Sequence, residues 1–120
     1  MFKDENSKRF DLEERTFLFA QRIRAFVKPL PKTIAYFEDG RQLVRASGSV
    51  GANYIEANEA LSKKDFVFHI RISRKEAKES RYWLRLMETS DADSNSERDS
   101  LVQEAQELMN IFGAILRNSM

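Results

Sequence analysis

The 120-residue chain contains no cysteine, and it has one histidine, two prolines, four glycines and one tryptophan. Without thiols there is no disulfide framework, no thiolate zinc site and no cysteine nucleophile. A single histidine, His69, also falls short of the paired Glu-x-x-His motifs that a di-metal helical bundle requires, and the residue three before it is Phe66. No metal or cofactor is expected. No stretch of about 18 uncharged apolar residues occurs, and the first residues, Met1-Phe2-Lys3-Asp4-Glu5-Asn6, carry no apolar run of the signal-peptide kind. The expected compartment is therefore the cytoplasm, with no membrane partner. Patterns of β-branched residues alternating with polar ones, which announce strands, are missing as well.

What is present is a chain 42% apolar and 32% charged, with 20 basic and 19 acidic residues and a formal net charge of +1. That balance suits one folded domain rather than a disordered segment. A chain of this length buries roughly two thirds of its unfolded surface, enough for a core without covalent staples.

Residues 1–10 are polar and aperiodic up to Phe10 and read as a flexible start, with a single domain over 11–118. Asp11-Leu12-Glu13-Glu14 has the form of a capping box, and the stripe Leu12, Thr16, Phe19, Ala20, Ile23, Val27, Leu30 predicts a first helix ending at Pro29 and Pro31. Phe17, Leu18 and Phe26 widen its apolar face, which points to a second buried contact. A second helix is expected to begin between Thr33 and Asp39 and to reach about Asn58, with Leu43, Ala46, Val50, Tyr54 and Ala57 on one face. Its middle, Ser47-Gly48-Ser49-Val50-Gly51-Ala52, carries little side-chain bulk. Each interior glycine costs about 1 kcal/mol relative to alanine, so either a neighbouring backbone approaches closely there or a loop splits the segment. The surviving 3.6-residue period favours the continuous helix.

Ser62-Lys63-Lys64-Asp65 opens the most regular segment, whose seam Phe66, Ile70, Ser73, Ala77, Ser80, Leu84, Met87 alternates steps of four and three as in a helical bundle. Phe68, Ile72, Tyr82, Trp83 and Leu86 add apolar surface beside it. The polar run 89–96 predicts a turn, and Ser94 with Glu97 predicts the cap of a fourth helix carrying Leu101, Ala105, Leu108, Phe112 and Ile115. The fold class is all-α, an antiparallel up-down four-helix bundle.

Chemistry-bearing residues are sparse. Asn53 and Glu56 share a face at the end of the second helix. An enzyme would use Glu56 as a base beside His69, but a structural polar network of Asn53, Glu56, Glu76 and Glu79 is favoured, with Glu56 meeting Arg74, Lys78 or Arg81. No catalytic residue is assigned. Charge is uneven along the chain: residues 59–88 hold eight basic and five acidic groups, and residues 89–120 hold two and six. Lys63, Lys64, Arg71, Arg74, Lys75, Lys78, Arg81 and Arg85 line the third helix. That strip can contact nucleic-acid phosphates, or it can pair with Glu76, Glu79 and the acidic fourth helix.

The segment Gln42-Leu43-Val44-Arg45-Ala46 through Ser49-Val50-Gly51-Ala52-Asn53 to Glu56, followed by Lys64-Asp65-Phe66 and Glu76-Ala77-Lys78-Glu79-Ser80-Arg81-Tyr82-Trp83-Leu84, resembles the four helix bundle proteins encoded in intervening sequences of bacterial 23S ribosomal RNA genes. The resemblance implies an antiparallel bundle assembled into a homopentameric ring, with no established catalytic activity. A related branch, the accessory proteins of diversity-generating retroelements, consists of basic pentameric barrels that bind nucleic acid and a reverse transcriptase. This chain differs in being nearly neutral, and in having Ala57 where many members carry glycine. The function expected from these features is a non-enzymatic homo-oligomeric scaffold or binding module. The alternative is an accessory protein that binds RNA or DNA through the basic third helix.

Overall fold

The third helix organises the molecule because its seam is the most regular. In the computed structural model, which describes the backbone of residues 2–119 and the side chains of residues 11–119, the chain forms α1 (Phe2–Val27), α2 (Ile34–Asn58), α3 (Lys63–Leu86) and α4 (Ala92–Ser119). Along α3, Ile70, Ser73, Ala77, Ser80 and Leu84 are buried, and Met87 just beyond its end is buried too. The turns between helices are short, so successive helices run antiparallel. Each packs on its neighbours in chain order and α1 closes on α4, which makes a bundle 47 × 23 × 19 Å in extent. Among the described residues there is no strand, and no helix is long and apolar enough to cross a membrane.

The core joins all four helices: Phe19 and Ile23 from α1, Leu43 and Val50 from α2, Ile70 and Leu84 from α3, Leu101, Leu108 and Phe112 from α4. Burial of each such side chain contributes about 1.5–3 kcal/mol. Phe26, which lies off the predicted α1 stripe, is buried in this same core, whereas Phe17 and Leu18 stay exposed. Small polar residues let α2 and α3 approach closely. The buried Ser73 hydroxyl donates across the interface to the Val50 carbonyl at 2.9 Å, and Ser80 donates to the Glu76 carbonyl of its own helix at 2.8 Å, so neither hydroxyl is left unsatisfied.

Three helix starts follow from side-chain caps. Thr33 accepts from the Tyr36 amide, and Ser62 accepts from the Asp65 amide, as its sequence position predicts. For α4 the expected cap is corrected. Asp91, not Ser94, accepts from a free amide, that of Ser94 at 2.8 Å, and its hydrogen bonds with Ser94 hold its carboxyl below the ordinary aspartate range. The predicted turn is accordingly shorter, because Asn95 clamps it from within the helix. Its amide accepts from the Thr89 amide and donates to the Thr89 carbonyl. Asp11 is a second correction: α1 begins at Phe2, so Asp11 lies inside the helix, where no free amide needs a cap. The expected flexibility of residues 1–10 concerns side chains outside the described residues.

The glycines of α2 sit within one continuous helix, and they are not equivalent. A Cβ on Gly51 would lie 2.9 Å from the Thr16 hydroxyl oxygen and 3.2 Å from its Cβ. Thr16 is buried and its hydroxyl donates to the carbonyls of Leu12 and Glu13, so it has nowhere to swing. At Gly48 the nearest neighbour is the end of the Arg24 side chain at 3.4 Å, which can move away. Gly51→Ala should therefore destabilise the fold by about 1–3 kcal/mol, whereas Gly48→Ala should stabilise it by about 0.5–1 kcal/mol through helix propensity. Urea denaturation of the two variants checks both signs; equal effects would contradict a tight α1–α2 crossing at Thr16 and Gly51.

Candidate functional site

Burying the α3 seam fixes what the opposite face presents. At 3.6 residues per turn, Lys64, Phe68, Arg71, Lys75, Lys78 and Tyr82 fall within an arc of about 80° pointing away from the core, and all six are exposed. Lys63, Arg74, Arg81 and Arg85 flank that arc on the side nearer α4. The Arg74 guanidinium lies over Gly113 of α4, and Arg81 donates to the Gln106 side chain.

The acidic groups that a sequence reading offers to this strip are engaged elsewhere. On α4, Glu104 receives a two-point hydrogen bond from Arg15 of α1 at 2.8 Å, and Glu107 accepts from the same guanidinium at 2.9 Å. Glu97 pairs with Arg22 of α1 at 3.1 Å. The hydrogen bond to Glu104, reinforced by both carboxylates, holds Arg15 firmly charged, and Gln103 together with Arg15 keeps the Glu107 carboxyl low. On α3 itself, Glu76 and Glu79 face Arg45 of α2 at 3.3 and 3.4 Å. Among the described residues, Lys63, Lys64, Arg74, Lys75, Lys78, Arg81 and Arg85 form no ion pair. Of the two readings of the strip, pairing with Glu76, Glu79 and the fourth helix is not what these seven cations do: Glu76, Glu79, Glu97, Glu104 and Glu107 pair with arginines of α1 and α2.

The predicted polar network divides in two. Glu76 and Glu79 belong to the Arg45 cluster. Asn53 meets His69 instead, with its Oδ1 3.1 Å from Nδ1. Since the Asn53 amide nitrogen donates to the Ser49 carbonyl, its oxygen accepts and His69 Nδ1 carries the proton. His69 Nε2 stands 3.5 Å from an Asp65 carboxylate oxygen. Glu56 belongs to neither group. It is exposed and its side chain makes no hydrogen bond or ion pair among the described residues, so its expected contact with Arg74, Lys78 or Arg81 is not formed. His69 and Glu56 are not brought together as a catalytic pair. The ion pairs of Arg15, Arg22 and Arg45 are what sequence reasoning missed, because partners 89, 75 and 31 residues away leave no local spacing signal.

A family model of the 23S rRNA-intervening sequence protein matches residues 8–114. The chain belongs to this family. A solved structure from Bacteroides thetaiotaomicron VPI-5482, a protein of unknown function from the S23 ribosomal protein family, is 29% identical, with a TM-score of 0.79 over 92% of this chain and 98% of that one. A search of curated proteins returns no match. The 23S rRNA-intervening sequence family match spans all four helices, so the shared feature is the whole bundle rather than a local motif.

The Arg45 cluster makes a direct prediction. Glu76 keeps 11% side-chain exposure, and removing its partner leaves a nearly buried carboxylate unpaired. Arg45→Ala should cost about 1–3 kcal/mol, and Glu76→Gln in the same background should recover part of that loss. Denaturant unfolding of the two single variants and the double variant measures the coupling; additive losses would contradict the pairing.

Proposed function

We propose that the protein is a non-enzymatic homo-oligomeric helical bundle acting as a scaffold or binding module, in keeping with the ring assembly that its family resemblance implies. The observation that carries this reading is the amount of apolar surface left outside the core. Among the described residues, Phe17 and Leu18 on α1, Ile34, Phe37 and Ile55 on α2, and Leu86 on α3 are about half exposed or more. Scattered single exposures are ordinary, but surface on this scale in a small domain suits contact with further copies or a protein partner. Phe17 adjoins Thr16, and Ile55 lies one turn beyond Gly51, so both border the α1–α2 crossing. His69 and Glu56 form no catalytic pair, and the groove between the end of α1 and the start of α2 is walled by Val27, Leu30, Ile34, Phe37 and Val44.

A second reading, nucleic-acid binding through α3, is favoured by the cations left outside ion pairs there. Exposed lysines and arginines facing solvent together are suited to phosphates, and such binding releases counterions and weakens steeply with salt.

Light scattering of the purified protein tests the first reading, with a mass several times 14.0 kDa expected. Phe17→Lys with Ile55→Lys should lower that mass while helix content is retained. A monomer at all workable concentrations would overturn the reading. For the second, anisotropy of a labelled structured RNA at low and physiological salt should show salt-sensitive binding that Lys75→Glu with Lys78→Glu abolishes. Absence of binding at low salt would reject it.

A further inference from the structure

The outward face of α3 carries more than charge. Phe68 and Tyr82 are 57% and 55% exposed and stand on the same arc as Lys64, Arg71, Lys75 and Lys78. They lie 14 residues apart, a rise of about 21 Å, with Lys75 midway between them. Each ring is braced at nearly a right angle by the ring that follows it: Phe68 by His69 at 5.2 Å and 76°, Tyr82 by Trp83 at 5.1 Å and 78°. His69 is itself fixed by Asn53, so the Phe68 platform rests on a held side chain. Beside Phe68 an open cleft has Val67 in its wall and Lys63, Lys64 and Arg71 around it.

A face built only for a duplex would need cations spaced along two phosphate backbones, and exposed rings add nothing there because the base faces are already stacked. A face built only for contact with an apolar protein surface gains nothing from Lys64, Lys75 and Lys78, which form no ion pair among the described residues. Aromatic rings alternating with cations along one line match unpaired bases, which stack on the rings while their phosphates meet the lysines. We infer that the outward face of α3 binds single-stranded nucleic acid, with bases stacked on Phe68 and Tyr82 and phosphates on Lys64, Lys75 and Lys78. This inference rests on the nucleic-acid reading above and specifies its substrate.

The test uses the full-length protein and three labelled probes of about a dozen nucleotides: oligo(U), oligo(dT), and a mixed-sequence duplex of the same length. At low salt one of the single strands should bind at least roughly tenfold more tightly than the duplex. Phe68→Ala and Tyr82→Ala should each weaken single-strand binding by roughly 5- to 100-fold, with the salt dependence and the duplex affinity nearly unchanged, while Phe68→Tyr and Tyr82→Phe should retain it. Both positions are exposed, so circular dichroism and light scattering should report the same helix content and mass for every variant. Equal affinity for duplex and single strand, or alanine variants that bind normally, would overturn the inference while leaving nucleic-acid binding in place. No binding of any probe at low salt would overturn both. A fall in oligomer mass on Phe68→Ala or Tyr82→Ala would assign the rings to a protein interface and overturn the inference.

Discussion

The placement of ion pairs between helices determines what the surface of this protein can do. Arg15 grips Glu104 at two points and reaches Glu107, and Arg22 holds Glu97, so the acidic fourth helix is neutralised by the first. Arg45 does the same for Glu76 and Glu79 from the second helix. A nearly neutral chain thereby keeps Lys64, Lys75 and Lys78 of α3 outside ion pairs among the described residues. Net charge alone would predict a bland surface, but local pairing decides where the field emerges.

These pairs have to be positioned, and small residues between the helices do that. Ser73 lets α2 and α3 come close enough for its hydroxyl to reach the Val50 carbonyl, and Gly51 lets α1 lie against α2 at Thr16. The cost of glycine within a helix is offset by this contact at Gly51, whereas Gly48 faces the far end of the long Arg24 side chain. The same crossing leaves Phe17 and Ile55 on the outside, so the geometry that packs the bundle also creates its apolar surface.

Much of the architecture was legible from spacing alone. The four-three seam of α3 predicted its buried residues, and Ser62 predicted its start, because both signals are local and periodic. The start of α4 was misplaced because Asp91 and Ser94 are both competent caps three residues apart, and Asn95, which reads as a turn residue, instead clamps the turn from inside the helix. Asp11 failed as a cap for a related reason: a capping box has meaning only where the helix begins, and α1 extends upstream to Phe2. The candidate site was half legible. The cations of α3 could be listed from the sequence, but whether they were spoken for depended on Arg15, Arg22 and Arg45, whose partners lie 89, 75 and 31 residues away. Glu56 was misassigned because its one-turn spacing from Asn53 does not reveal that it points to solvent.

The central claim is that α1, not α3, neutralises the fourth helix. Thermal unfolding of an Arg15→Gln, Arg22→Gln variant beside a Lys64→Gln, Lys75→Gln, Lys78→Gln variant tests it most directly. The account predicts that the arginine variant melts roughly 3–6 °C lower while the lysine variant melts with the wild type. A loss confined to the lysine variant, or equal losses in both, would contradict it.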